Sequence, residues 1–379
     1  VSMKSLKPES IRSREGLPLT VESLRLSVVV SAHNSSATLS EVLAAIRSSD
    51  LPRDAYEVIV VDDASTDGSV AIAARYADTV VKLTGRQSGP AYARNRGVEL
   101  AVAPVLVFVD PDVLVRRETL LRMLQILNER PEIDAVSASH ADTSGAQNFV
   151  SQYWNLLLRF GEQRHTSISA QFAPGCGAVR RQAFIAAGMY DEWRFATACL
   201  ENVELGERLL GTGRGVLLSS ELKVTHLKRW DLVSVFREVW VRSRLLARSL
   251  GYSRMSAVAP SDVVFTLSRA LTPAVALLAT LMLAAAFVPS PHPSAKGGVA
   301  LLVLVLTNLP VHRFYASTRG LGFALLSAPL HTLVEIVAGV ALCLGWILRD
   351  VFGDVSPDAT TQAYSEVGHE IWPPVPRRI

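Results

Sequence analysis

Two carboxylates, Asp110 and Asp112, flank a proline at the end of the aliphatic run "VLVFV", and a second acidic pair, Asp62 and Asp63, follows "VIVV". Residues two apart on an extended backbone point to the same side, so Asp110 and Asp112 could share one divalent cation. Their hard oxygens favour Mg2+ or Mn2+ over Zn2+, and such a cation stabilises the charge that develops on a departing diphosphate. A plainer use is also open: the acids could cap a helix beginning near Arg116 or pair with Arg116 and Arg117.

The surrounding pattern says what must position these acids. Strands are predicted at 26–32, 56–61, 79–83 and 105–109, separated by helices near 39–47, 69–76 and 90–101. Continuously aliphatic strands alternating with helices imply an α/β fold with a mostly parallel, Rossmann-like sheet covered on both faces. Ligands bind beyond the carboxyl ends of such strands. Those ends carry His33 and Asn34, Asp62 and Asp63, and Asp110 and Asp112. Residues 134–226 read as a second lobe of the same domain, with glycine-rich "PGCGAVRR" at 174–181 and a charged helix over 200–210.

The ordered set of segments resembles the family 2 glycosyltransferases of the GT-A fold. "VVVSAHNSSATLSEVLAAI", "VIVVDDASTDGS", "GPAYARNRGVELA", "VLVFVDPDV", "GCGAVRRQAFIAAGMYDE", "ENVELGERL" and "HLKRW" occur in the family's order over about residues 25–230. The resemblance implies a UDP- or GDP-linked sugar donor. It places the donor near Ala32, Asn34, Asp62, Asp63, Arg94 and Asp110, with Asp63 on the base and Asp62 more loosely in the same pocket. Arg94 and Asn95 resemble the family's donor-site pair, and Asp67 reads as a turn or helix cap. Asp112 is the expected direct metal ligand, Asp110 is shared between metal and ribose, and His226, in place of a glutamine, joins the metal. Arg229 would answer the diphosphate and Trp230 would wall the acceptor site.

The family's usual base is the aspartate of a Glu-Asp pair, whereas this chain has Glu201 followed by Asn202. An amide cannot take a proton, so the role falls to Glu201, to Glu204, or to no residue. An acceptor that is already ionised, such as a polyprenyl phosphate, needs no base. The resemblance implies an inverting glycosyltransferase acting on a lipid-linked or lipid acceptor at the membrane surface; a glycan acceptor and a nucleotide-binding scaffold without catalysis are the competing readings.

The remaining third points to a membrane. Hydrophobic residues make up 49% of the chain against 19% charged, and a net charge of +3 gives no reason to expect nucleic acid. Residues 1–24 read as a flexible arm without a secretory signal, and the three scattered cysteines suggest neither a disulfide framework nor a zinc site. Residues 231–261 carry Arg237, Arg242, Arg244, Arg248 and Arg254 among apolar side chains, as an interfacial amphipathic helix does. Within 262–349, about three transmembrane helices are expected at 270–288, 297–311 and 320–348. That is few for a processive polymer synthase. Arg313 and Arg319 place their loop, and with it the first domain, on the cytoplasmic side of an inner membrane, and the acidic tail, 350–379, beyond it. His331 and Glu335 share one face of the last span, as a functional pair or as a structural contact.

Overall fold

A computed structural model describes residues 11–12, 24–163, 168–169, 172, 175–192, 201–212, 214–249, 273 and 293–352 of the 379-residue chain. The chain divides into two compact units, Val1–Gly145 with Glu162–Lys228 and Pro357–Ile379, and Ala146–Gly161 with Arg229–Ser356.

The first unit is built on a sheet. Its elements in chain order are β1 (Ile11–Arg12), β2 (Leu26–Ala32), α1 (Leu39–Arg47), β3 (Tyr56–Asp63), α2 (Ser69–Tyr76), β4 (Thr79–Leu83), α3 (Pro90–Leu100), β5 (Val105–Val109), β6 (Val113–Leu114), α4 (Thr119–Glu129), β7 (Ile133–His140), β8 (Ile168–Ser169), β9 (Cys176–Arg180), α6 (Arg181–Ala186), α7 (Glu201–Gly211) and β10 (Gly215–His226). The helix α5 (Phe149–Gln163) lies between β7 and β8 in the chain. Strands β4, β3, β2 and β5 run parallel in that order. Every residue of β2, β3 and β5 is buried, as strands covered on both faces require.

The sheet is mixed rather than mostly parallel. Strand β9 runs antiparallel between β5 and β7, and β10 then lies parallel to β7. The glycine-rich stretch that holds β9 has no aliphatic run to announce a strand; its burial comes from two neighbours, not from its own side chains. Gly177 pairs with Phe108, whose ring packs against Phe172, Phe184 and Tyr190.

The second unit is helical, comprising most of α5 with α8 (Leu232–Ser249), α9 (Pro293–Arg319) and α10 (Leu321–Phe352). Its core gathers Tyr153, Trp154, Leu156, Trp230, Val235, Val239, Val311, Tyr315, Leu330 and Val334. Helix α8 thus turns Val235 and Val239 inward, while Leu232, Val233, Arg237 and Arg242 are exposed. Among the described residues one helix segment, Leu321–Ile347, is long and apolar enough to cross a membrane. The expected span at 270–288 lies outside the described residues except for Pro273, and 297–311 falls inside α9.

Candidate active site

The ends of β2 and β3 carry the first group of expected residues. Ala32 is buried at the end of β2, and beyond it the His33 Nδ1–H donates to the Asp63 carbonyl at 2.6 Å. Asn34 takes a positive φ of 47° and its Oδ1 accepts from the Thr66 N–H at 2.9 Å. Asp67 binds across to the other loop, accepting from the Ser36 and Ser69 N–H groups at 3.0 Å each. Burial works against the Asp67 charge, but these bonds and the Ser69 hydroxyl outweigh it and hold the carboxyl well below its ordinary range. The two loops are laced into one rim.

Asp62 and Asp63 are both buried, with different surroundings. Asp63 accepts the Ser88 N–H on Oδ1 and the Gly89 N–H on Oδ2, both at 2.8 Å. Gly89 adopts φ 94°, which lets the chain present two successive amides to one carboxylate before α3 begins. Burial nevertheless raises the Asp63 pKa, against those two bonds. Asp62 accepts only the Ser65 N–H on Oδ2, at 3.1 Å, and its buried Oδ1 has no partner among the described residues. A buried carboxylate oxygen without a donor is costly unless a ligand supplies one. Asp62, rather than Asp63, therefore has the open acceptor.

Asp110 and Asp112 do not lie on extended backbone. The Val113 N–H donates to the Asp110 carbonyl at 3.1 Å, closing a turn over Pro111. Two outside contacts fix this turn. Gly175, at φ 89°, offers its carbonyl to the Asp110 N–H at 2.9 Å, and a Cβ there would stand 3.0 Å from Val113. The Thr38 hydroxyl donates to the Pro111 carbonyl at 2.8 Å. The helix that Asp110 or Asp112 would have capped starts only at Thr119, with Thr119 Oγ1 accepting from the Arg116 N–H.

Arg94 projects from α3 to the turn. Its guanidinium donates to Asp110 Oδ1 at 2.7 Å and to Glu201 Oε1 at 3.1 Å, and lies 5.2 Å over the Tyr190 ring. Burial opposes the Arg94 charge, yet Asp110, Tyr190 and Glu201 raise its pKa. Asn95 is occupied in holding the chain after α6, exchanging hydrogen bonds with the Tyr190 main chain at 2.9 and 3.1 Å. On α7, Glu204 makes a two-pronged pair with Arg208 at 2.7 Å, while Asn202 Oδ1 accepts the Tyr190 hydroxyl at 3.1 Å.

The long strand β10 delivers His226. It pairs antiparallel with β6, matching His226 to Val113, so the histidine arrives beside the acidic turn. His226 Nε2 stands 3.7 Å from Asp112 Oδ1, and the Lys228 N–H meets its Nδ1 at 3.2 Å. Burial raises the Asp110 carboxyl despite Arg94, and raises that of Asp112 despite Lys228 and His140. Among the described residues, no three His, Cys, Asp or Glu side chains converge as a complete metal cluster. The chemistry of the acidic turn still suits a hard cation whose remaining ligands come from phosphate oxygens and water, as Mg2+ sites are commonly completed.

His140 gave no sequence signal as a site residue, yet its ring stacks on that of His226, with centroids 6.0 Å apart and planes 9° apart. Its strand was not among those predicted, so nothing placed its end beside β10. Arg229 and Trp230 fall in the second unit, where Trp230 is buried against Trp154 at 5.7 Å and Arg229 is exposed.

Residues 27–188 match the family model described as glycosyl transferase family 2. A poly(ribitol-phosphate) beta-glucosyltransferase of Bacillus spizizenii is 32% identical over 111 residues, which is 28% of this chain and 18% of that protein. A beta-monoglucosyldiacylglycerol synthase of Nostoc is 26% identical over 225 residues, 56% of this chain and 43% of the relative. The chain thus spans less than half the length of either relative. In structure it is similar to a mannosyltransferase of Pyrobaculum calidifontis solved with GDP-Man and Mn2+, with a TM-score of 0.56 and 19% identity over 85% of this chain and 87% of that one. That likeness establishes an α/β fold of the GT-A kind.

Proposed function

We propose that the protein is a membrane-anchored, inverting glycosyltransferase. It moves a sugar from a UDP- or GDP-linked donor to a lipid phosphate acceptor at the cytoplasmic face of an inner membrane. The observation that carries the acceptor reading is the state of α7: Glu201 is paired with Arg94 and Glu204 with Arg208, and the position of the family's base is an amide, Asn202. A hydroxyl acceptor needs a base to take its proton; a phosphate monoester at neutral pH already carries the nucleophilic oxygen.

In this reading Asp62 would receive the nucleoside through its open Oδ1, and Asp110 and Asp112 would hold a Mg2+ or Mn2+ ion. When bound, the cation neutralises the charge that builds on the leaving diphosphate. Arg94 fixes the Asp110 carboxylate at the turn. His226 supplies a further donor atom; use of Nε2 as a ligand requires the ring proton on Nδ1, at the expense of the 3.2 Å contact from the Lys228 N–H. The acceptor oxygen forms its bond to the anomeric carbon as the bond to the nucleoside diphosphate breaks on the opposite face, inverting the centre. The diphosphate leaves with the bonding pair.

The membrane part of the reading rests on α9 and α10. Leu302, Val305, Leu306, Leu325, Leu326, Leu333 and Trp346 are exposed, whereas Asn308, Ser327, His331 and Glu335 are buried. That is the reverse of a water-soluble bundle. Inside, the Tyr153 hydroxyl meets His331 Nδ1 at 2.9 Å and the Asn308 amide donates to Glu335 at 2.9 Å, so the pair foreseen in the sequence is held in a polar core. The relative named as a beta-monoglucosyldiacylglycerol synthase favours a lipid as the acceptor, while the phosphate rather than a hydroxyl rests on the state of α7.

The test is incubation of membranes containing the protein with radiolabelled UDP- or GDP-sugars and Mn2+. Label entering the lipid extract, lost with Asp112→Asn, is the expected result. Label entering only water-soluble glycan overturns the lipid acceptor; nucleotide binding without donor consumption overturns the enzyme.

A further inference from the structure

Behind His226 stands a second buried pair that no recognised motif contains. His140 closes β7, and Glu162 lies in the last turn of α5. One oxygen of Glu162 accepts the His140 main-chain N–H at 2.7 Å, and the other accepts the ring Nδ1–H at 2.5 Å. Both side chains are almost wholly buried, at 5% and 6% exposure. One carboxylate therefore fixes the backbone and the ring plane of the same histidine.

The sheet aligns that ring with the site. β7 and β10 run parallel with His140 beside Val224, and the Ala141 N–H donates to the Val224 carbonyl at 2.8 Å. His226 follows two residues later on the same face of β10. The His140 and His226 planes differ by 9°, and the His226 Nε2 faces Asp112. The His226 carbonyl is held as well, by the Gly145 N–H at 2.9 Å and the Ser144 hydroxyl at 3.2 Å. Glu162, His140, His226 and Asp112 form one line of contacts from the interior to the acidic turn. A buried carboxylate and imidazole carry a desolvation cost that an apolar pair would not.

We propose that His140, clamped by Glu162, is a positioning residue that sets the plane of His226 at the cation and diphosphate site. This rests on the reading of His226 as a contact of that site. Outer partners of metal-binding histidines typically carry about 10- to 100-fold in metal affinity.

The experiment follows Mn2+ binding to the full chain in detergent through the electron paramagnetic resonance signal of free Mn2+, with and without UDP or GDP. Thermal unfolding is recorded for each variant. His226→Ala is expected to weaken binding, and His140→Ala and Glu162→Gln to weaken it about tenfold. The double variant His140→Ala with His226→Ala is expected to bind no more weakly than His226→Ala alone. Wild-type binding in His226→Ala defeats the reading of His226 itself. Weakened binding there, with wild-type binding in folded His140→Ala and Glu162→Gln, defeats the positioning role alone, as does an additive double variant. Should His140→Ala fail to fold, Glu162→Gln decides, since glutamine keeps the volume and one of the two bonds.

Discussion

Arg94 ties Asp110 to Glu201, so a single guanidinium joins the end of β5 to the start of α7. Glu201 is 4% exposed and Asp110 28%, so Arg94 is shared between two carboxylates of unequal burial. Removing one partner of a buried pair leaves the other charge uncompensated. Arg94→Ala should therefore lower stability by about 3 kcal/mol. Arg94→Lys should recover only part of this, because an ammonium lacks the planar fork that reaches both acids. Thermal unfolding of the full chain measures both; equal stability of the lysine variant and wild type would refute the two-sided role.

The two acids that end β3 should separate in their effects. Asp63→Asn sets an amide donor against the Ser88 or Gly89 N–H and should cost about 1–3 kcal/mol of stability. Asp62→Asn disturbs only the Ser65 contact and should leave the unfolding temperature near wild type. Its effect should appear in UDP or GDP affinity, reduced about tenfold as a charged hydrogen bond weakens. Calorimetric titration checks this, and an Asp62→Asn variant with unchanged affinity for both nucleotides would return the base contact to Asp63.

The acidic turn predicts a pH dependence. Burial raises the Asp110 and Asp112 pKa values above the ordinary 3.8, so the metal-free fold is favoured while they are protonated. That contribution is present below the unfolded value and is lost as pH rises through the folded ones. A cation competes with the same protons, so its affinity should rise over the same interval and then level off. The increase in unfolding temperature caused by Mn2+ should grow with pH and then become constant. In Asp112→Asn the increase should be small at every pH; an unchanged profile would remove Asp112 from the cation.

The parallel half of the sheet was legible because β2, β3 and β5 carry mainly aliphatic residues on both faces, as two-sided burial favours. The acids at the strand ends were legible for the same reason, as polar residues where the aliphatic runs stop. What the sequence hid depends on partners distant in the chain. β9 is a strand because β5 and β7 enclose it, and Asp63 is committed because Gly89 has a positive φ. His140 matters because β10 ends beside it. None of these leaves a local pattern. The Asp110–Asp112 turn shows the opposite error: spacing suggested a shared side on extended backbone, while Pro111 sits in a turn fixed by Thr38 and Gly175.

In the helical unit, Gly345 of α10 packs closely against α8. A Cβ there would lie 2.6 Å from the Arg244 carbonyl oxygen and 2.9 Å from the Ala247 Cβ. The first of these is backbone, which cannot rotate away as a side chain would. Gly345→Val must therefore move one helix off the other, and overpacking of this kind costs about 1–3 kcal/mol. Leu344, one residue earlier, is exposed, and Leu344→Val should leave stability within about 0.5 kcal/mol of wild type. Unfolding of both variants in the same detergent gives the comparison. A Gly345→Val protein as stable as Leu344→Val would show that α8 and α10 do not meet at this glycine.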